Sequence, residues 1–300
     1  MGEAMSIRQR VQVLRVQGFA VAVVAQALGI SRSWAYALSR GQPTPPRPDR
    51  DGELKAQLRA LAGEFPTHGY RRLTVWLRKR WGQRVNRKRV LRLCRELGLL
   101  VTVRARRAKR RELRGRIEVT ASDQHWQADL TKVWCGQDGW GYLFGVIDAY
   151  DREVMGYQFQ LTCRTQDLLG ALDEALVDRF AQGSAPGLAC RPCGGLALRT
   201  DNGPQMTSRR FTGVLAACEI AHERTGYNNP DGDAYIERFF RTLKEEEVWL
   251  KDYGSFAEAS EAIARFIAYY NAERPHSALG YLSPQEFRAQ QARSLLKEAA

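Results

Sequence analysis

Three acidic residues stand out by type and spacing: Asp129 in HWQADLTKVW, Asp201 in LALRTDNGP and Glu237 in GDAYIERFFRTLK. Between the second and third lie 35 residues, and Lys244 follows the glutamate by seven. The two aspartates are each expected to close a short strand, and the glutamate to open a helix. Three carboxylates gathered within a few ångströms repel one another unless a cation intervenes. Oxygen-only ligands are the preference of Mg2+ or Mn2+. Two such ions, roughly 3.5–4 Å apart, suit the attacking and leaving oxygens of an in-line displacement. The expected chemistry is attack on a phosphodiester, with Asp129, Asp201 and Glu237 as catalytic and metal-holding residues.

The elements that must position these acids are readable from Ser122 onward. HWQADLTKVW has the pattern of a strand, and GWGYLFGVIDAYDREVMGYQFQL that of two strands joined near Asp151 and Arg152. TQDLLGALDEALVDRF is an amphipathic helix burying Leu168, Leu169, Leu172 and Leu176. GLALRT is a short strand ending at Asp201, SRRFTGVLAACEI a helix, IAHERT a last strand, and YNNPDGD a loop before the helix of Glu237. This order predicts an α/β domain with a mixed sheet. On the last helix residues 237, 241 and 244 share a face, since seven residues make about two turns. Phe239, Phe240 and Leu243 then point to the core. Asp148 and Asp151 are expected to form a turn, and His125 to pack beside the first strand. Asn271, Arg274, Pro275 and His276 belong to an architectural tail, flanked by two helix-capping patterns, Ser255 with Glu258 and Ser283 with Glu286.

Charge divides the chain. Residues 1–122 carry 28 Lys and Arg against 8 Asp and Glu, a net of +20, whereas residues 123–300 carry 18 against 25, a net of −7. A basic front half joined to an acidic half fits a nucleic-acid grip attached to a metal-binding enzyme. Within the front half, Ile7, Val11, Val13 and Leu14 suggest a first helix ended by Gly18. VAVVAQALGISRSWAYALSR has helix-turn-helix grammar: small Ala25, Gly29 at the turn and Ser31 as cap. Its second helix presents Arg32, Ser33 and Tyr36, with Trp34, Ala35 and Leu38 expected to be buried. GQPTPPRP reads as a stiff linker. A second helical unit keeps Leu73, Trp76 and Leu77 on one face, and Val90, Leu93 and Leu97 on another helix. Asn86 is the expected cap and Gly98 the stop of that helix. Arg71, Arg72, Lys88, Arg92 and Arg95 are its expected phosphate contacts. Residues 104–116 pack eight Lys and Arg, including Arg106, Arg107 and Arg110, into a DNA-tracking connector.

Six scattered cysteines fit reduced thiols, and the CRPC of Cys190 and Cys193 lacks two further ligands in sequence, so an ordinary loop is expected there rather than zinc. No apolar run is long enough to span a membrane, and no secretory signal is evident. The expected segments are a helix-turn-helix over 1–41, a Pro-rich linker over 42–51, a helical DNA-binding domain over 52–102, a basic connector over 103–121, a catalytic core over 122–252 and a helical tail over 253–300.

Specific motifs carry a resemblance. Trp126 to Thr131, the Thr200-Asp201-Asn202-Gly203 run, Ala234 to Lys244 and YYNAERPHSALGYLSPQEF at 269–287 resemble the ribonuclease-H-like core of retroviral integrases and DDE transposases. Together with HGYRRLTVWLRKR and VNRKRVLRLCRELGLL, they resemble the insertion sequence 3 family of bacterial transposases. The leading helix-turn-helix suggests its OrfB-type, insertion sequence 2-like subgroup. Where that family often has Asp-Asn-Ala before the glutamate, this chain has Gly232-Asp233-Ala234.

The resemblance implies metal-dependent cleavage and 3′-OH strand transfer at insertion-element ends, with two Mg2+ (or Mn2+) ions per site. Asp129 is expected to bridge both ions, and Lys244 to contact terminal DNA, with Arg241 beside it. The implied partners are double-stranded DNA (terminal inverted repeats and target), a second protomer or more on DNA, and an upstream helix-turn-helix and leucine-zipper product reached by frameshift fusion. A bacterial, cytoplasmic, nucleoid-associated setting follows from the same likeness. The alternative is a catalytically silent DNA-binding regulator derived from a transposase, which loss of any acid would favour; all three acids are present. A ribonuclease with this core is weakened by the two DNA-reading units in front.

Overall fold

The computed structural model describes residues 5–40, 50–100, 119–180, 195–225 and 234–298. The GQPTPPRP stretch, the connector with Arg106, Arg107 and Arg110, Cys190 and Cys193, and the YNNPDGD loop with Gly232 and Asp233 lie outside these residues. The chain divides into two compact units, Met1–Leu54 and Lys55–Ala300. None of the helices among the described residues is long and apolar enough to cross a membrane.

The first unit holds three short helices, α1 (Ile7–Val16), α2 (Val21–Ala27) and α3 (Arg32–Ser39). Ser6 and Gln9 form a reciprocal capping box on α1, and the Ser31 hydroxyl accepts the Trp34 N–H at the start of α3. Gly29 at φ +63° makes the left-handed turn between α2 and α3. Val21, Ala25 and Ala35 form the buried centre, with Ile30 against it. Such small side chains leave no room for an indole, so Trp34, expected inside, is 46% exposed. The α1 stripe is also narrower than the periodicity suggests: Val11 is buried, while Ile7 and Val13 face solvent.

The second unit takes up most of α4 (Gly52–Glu64), then α5 (Tyr70–Trp81) and α6 (Arg87–Glu96). Leu73, Trp76 and Leu77 of α5 and Val90 and Leu93 of α6 are buried. The Asn86 side chain caps α6 through the Lys88 N–H. Five strands follow: β1 (His125–Trp134), β2 (Trp140–Asp148), β3 (Val154–Gln160), β4 (Ala197–Thr200) and β5 (Ala221–Arg224). They form one sheet in the order β3-β2-β1-β4-β5, antiparallel from β3 to β1 and parallel from β1 to β5.

On one face, α7 (Thr165–Phe180) and α8 (Arg209–Ala217) cover Trp126, Ala128, Phe144 and Val146. Gly156 lets α7 sit directly on β3, since a Cβ there would fall 2.1 Å from the Ala171 carbonyl oxygen. The other face is closed by α9 (Ala234–Glu246) and α10 (Phe256–Ala272), whose Ile236, Phe239, Leu243, Ile263 and Phe266 meet Val133, Leu143 and Ile147. Helix α11 (Pro284–Glu298) begins with a reciprocal cap between Ser283 and Glu286. At the β2–β3 turn, the buried Asp148 carboxylate accepts the N–H groups of Asp123, Tyr150 and Asp151, and burial raises its pKa. Arg179 joins Asp151 to Glu153 beside it, so both aspartates are structural.

The helices of residues 55–100 meet the rest of this unit at the ion pair of Lys79 with Glu286, 2.7 Å apart, and at one largely buried carboxylate. Glu246, at the end of α9, accepts two hydrogen bonds from Arg274 at 2.6 and 2.7 Å and one from Arg72 at 3.1 Å. His68 Nε2 stands 3.6 Å away. Trp76 Nε1 donates to His68 Nδ1, which puts the His68 proton on Nε2, toward the carboxylate. Phe65 stacks between Trp76 and Tyr269 of α10, at 4.8 and 5.7 Å between ring centroids. Burial alone would raise the Glu246 pKa, but the pairing with Arg274 and His68 outweighs it and holds the carboxyl far below its usual range.

Glu246→Gln leaves buried Arg274 without its counter-charge, and removal of one partner from such a pair costs about 3–5 kcal/mol. Urea unfolding of the variant should therefore show a loss of that order with an unchanged m-value. Burial and the neighbouring Arg274 push His276 down to about 3, so the folded protein keeps it neutral while the unfolded chain protonates near 6.5. The unfolded state binds the extra proton, hence stability should fall as pH drops from about 6.5 toward 3. Thermal melts across that window should show a shallower slope in His276→Asn than in the parent protein.

Candidate active site

The site is built on the two strands at the centre of the sheet. In the β1–β4 ladder His125 pairs with Ala197 and Gln127 with Arg199, an offset of 72 residues. The same offset separates Asp129 from Asp201, so the two aspartates fall two residues beyond the last ladder pair at matching positions, Asp129 within β1 and Asp201 just past β4. Asp201 follows the end of β4, as the sequence suggests. Asp129 does not close its strand. It lies midway along β1, which continues to Trp134 because it keeps pairing with β2, where Gly145 faces Asp129. The Asp129 carboxylate accepts the N–H of Leu130 at 2.7 Å, and that of Asp201 the N–H of Gly203 at 2.9 Å. Asn202 donates to the Thr225 carbonyl and thereby ties the Asp201 turn to the end of β5.

Glu237 reaches this end of the sheet through Gln127. The Gln127 side chain is buried on β1, two residues before Asp129, and its Oε1 accepts the N–H groups of Tyr235 and Ile236 at 3.0 and 3.1 Å. These are among the first N–H groups of α9, which have no partner within the helix. Arg152, from the β2–β3 turn, lies over the Tyr235 ring at 3.3 Å. Glu237 is then the next residue and is exposed, while Phe239, Phe240 and Leu243 are buried as expected. Arg241 is exposed and paired with Glu245 at 2.7 Å. Lys244 is half-buried.

Among the described residues, no three His, Cys, Asp or Glu side chains lie close enough to hold a metal ion. The backbone thus brings Asp129, Asp201 and the start of α9 to one end of the sheet, with each aspartate turned onto a local N–H and Glu237 turned to solvent. The donor set is carboxylate oxygen throughout, which suits Mg2+ or Mn2+.

The expected DNA-contacting residues separate into two groups. Arg32, Ser33 and Tyr36 on α3 are exposed, as are Arg71, Lys88, Arg92 and Arg95 on α5 and α6. Arg72 does not belong with them. It is half-buried against Glu246, and its guanidinium serves that ion pair rather than a phosphate. Gln127 and Glu246 are absent from the residues that sequence reasoning selects. Glu246 has a legible sign, since it falls three residues after Leu243 and seven after Phe239, on the apolar stripe of α9. Gln127 has none beyond being polar in a strand whose neighbours are buried.

Gln127→Ala removes the acceptor of two buried N–H groups, at about 1–3 kcal/mol for each group left unsatisfied. Hydrogen exchange should report faster opening of the Tyr235 and Ile236 amides, with the amides of β3 unchanged.

Two segments, residues 119–230 and 218–284, match the family described as Integrase core domain, and residues 48–108 match HTH-like domain. The chain is 26% identical over 299 residues to the Escherichia coli protein named transposase InsD for insertion element IS2A/D/F/H/I/K, covering 93% of this chain and 94% of that one. Among solved structures, the catalytic core domain of BIV integrase is 20% identical with a TM-score of 0.41, covering 58% of this chain and 99% of its own. The simian T-cell lymphotropic virus intasome gives 16% identity and a TM-score of 0.47, over 77% and 74%. With the integrase core matches on the five-stranded half and the HTH-like match on α4 to α6, the chain carries an integrase core domain behind an HTH-like domain and is a DDE-type polynucleotidyl transferase.

Proposed function

We propose that the protein is a transposase that cleaves DNA at the ends of an insertion element and transfers the freed 3′-OH into a target. The observation that carries this is the shared offset of β1 and β4, which sets Asp129 against Asp201 at the end of the sheet to which Gln127 ties the start of α9. Near-full-length similarity to an insertion-element transposase supports the substrate.

Asp129, Asp201 and Glu237 would hold the divalent cations, two Mg2+ or Mn2+ ions in this reading, through carboxylate oxygens alone. The ions, when bound, polarise the scissile phosphate and lower the pKa of a water or 3′-OH. In the first step a water oxygen forms a bond to phosphorus as the bond to the 3′ oxygen of the element end breaks, and that oxygen leaves with a proton as a 3′-OH. In the second, this hydroxyl bonds to a target phosphorus while the target's own 3′ oxygen departs. No step needs a protein nucleophile. The carboxylates hold the reacting centre, and Lys244 and Arg241, on the face of α9 shared with Glu237, position the flanking phosphates.

DNA is held by Arg32, Ser33 and Tyr36 of the first unit and by Arg71, Lys88, Arg92 and Arg95 of the second, whose charges displace counterions along the backbone. Joining two ends calls for at least two protomers on DNA. A fusion with an upstream helix-turn-helix and leucine-zipper product is part of the same proposal. Residues 52–102 act as a DNA-binding domain, residues 122–252 as the catalytic core and 253–300 as its tail.

Supercoiled plasmid carrying the element ends, incubated with the full chain and Mg2+ or Mn2+, should be nicked and joined. Glu237→Gln should lower nicking by about 100-fold or more, the scale on which loss of one transition-state contact is felt, while DNA affinity stays intact. Tight, salt-sensitive binding without metal-dependent nicking in the parent protein would sink the cleavage reading and leave a DNA-binding regulator.

A further inference from the structure

The far end of the β1–β2 hairpin carries a feature that cleavage alone does not explain. Trp134 and Trp140 face each other across the last pair of the ladder and meet edge to face, 5.2 Å apart at 75°. Each is 52% exposed, and Trp249, in the short turn after α9, is 67% exposed. Together they line a concavity of about 610 Å³ with Lys132, Lys244 and Lys251, a size typical of small-ligand sites. Three indoles left open to water on one concave surface mark a place where something docks.

Charge indicates what docks there. Lys251 is neutralised by Glu247 at 2.6 Å. Lys132 lies over the Tyr142 ring at 5.4 Å and, like Lys244, has no ion pair among the described residues. Asp252 is the only acid among the described lining residues. A protein surface covering this concavity would strip water from two lysines and owe each a counter-charge. A nucleic-acid strand brings a phosphate for each lysine and a flat base for each indole.

Position agrees with the charge. Lys244 follows Glu237 by two helical turns, about 10.5 Å, and Trp134 follows Asp129 by five strand residues, about 17 Å. Those lengths correspond to about three to five nucleotide steps of roughly 3.4 Å. We propose that Trp134, Trp140 and Trp249, with Lys132 and Lys244, hold unpaired bases of the DNA strand flanking the cut. The proposal rests on the polynucleotidyl-transfer reading of the neighbouring carboxylates. By gripping frayed bases, the concavity would favour a DNA end that is open over a closed duplex.

The test is metal-free fluorescence anisotropy with the full chain and two labelled DNAs, a blunt duplex and the same duplex with a short unpaired thymine extension. The parent protein should bind the extended duplex more tightly. Base–aromatic stacking of about 1 kcal/mol or more corresponds to about fivefold in affinity, so Trp134→Ala/Trp140→Ala/Trp249→Ala should lose at least that preference and keep its affinity for the blunt duplex. The triple Phe variant should retain most of the preference. Should the alanine triple fail to fold, Trp249→Ala alone, with quenching of tryptophan emission by oligothymidine, separates the same outcomes. Equal binding of both DNAs by the parent protein, or a preference that survives in the alanine variants, overturns the proposal. So does a parent dimer that becomes monomeric in the alanine triple with the DNA preference unchanged, because the indoles would then cover a second copy. Because this assay contains no metal, a failure of plasmid nicking is read separately and leaves its outcome untouched.

Discussion

The pairing of Glu246 with Arg274, with Arg72 and His68 gathered on the same carboxylate, fixes much of the rest of the second unit. One anion removed from water must be matched on both oxygens, and the two-pronged contact from Arg274 does this with the planar fit that a lysine could not supply. Arg72 adds a third hydrogen bond to the same carboxylate and so links α5 to the end of α9. Basic residues near the sheet are therefore not all available to DNA. The aromatic stack of Phe65, Trp76 and Tyr269 lies beside the pair, with Trp76 bonded to His68.

Helix α9 is consequently fixed at both ends. Gln127 takes its first N–H groups, Glu246 locks its last turn, and Phe239, Phe240 and Leu243 fill the sheet face between. A helix held in this way has little freedom to rotate or slide. Glu237, Arg241 and Lys244 are then set relative to β1 by the same frame that sets Asp129. Rigid support of this kind is what positions reacting groups without an entropic cost at the moment of reaction. Movement at the site falls to the side chains, which is consistent with two aspartates resting on local N–H groups and a glutamate reaching into solvent.

Much of this frame can be read from the chain because it rests on short-range rules. The caps at Ser31, Asn86, Ser255 and Ser283, the leucines of α7 and the succession of strands and helices along the chain all follow from spacing within a few residues. The departures share a cause as well. Arg72 reads as a phosphate ligand because its acceptor lies 174 residues away, and nothing local announces it. Trp34 reads as core because its helix is apolar enough, yet the space it needs is set by small residues, Ala25 on the preceding helix and Ala35 beside it. Asp129 reads as a strand end, but the half-buried residue lies within β1, and the ladder with β2 carries the strand on beyond it. Three exposed tryptophans, each unexceptional in its own segment, become a surface only when the hairpin and the end of α9 meet.

The Glu246 contacts also impose an order on synthesis. Arg72 leaves the ribosome 174 residues ahead of its acceptor, and Arg274 arrives 28 residues after it. Until then the helices of residues 55–100 carry their full positive charge with no Glu246 to neutralise Arg72, and Glu246 in turn lacks the partner that makes its burial tolerable. The contacts that join those helices to the rest of the unit span long stretches of sequence, and long-range contacts slow folding. An interrupted chain that stops short of Arg274 keeps its basic helices but lacks the guanidinium that makes two of the hydrogen bonds to Glu246.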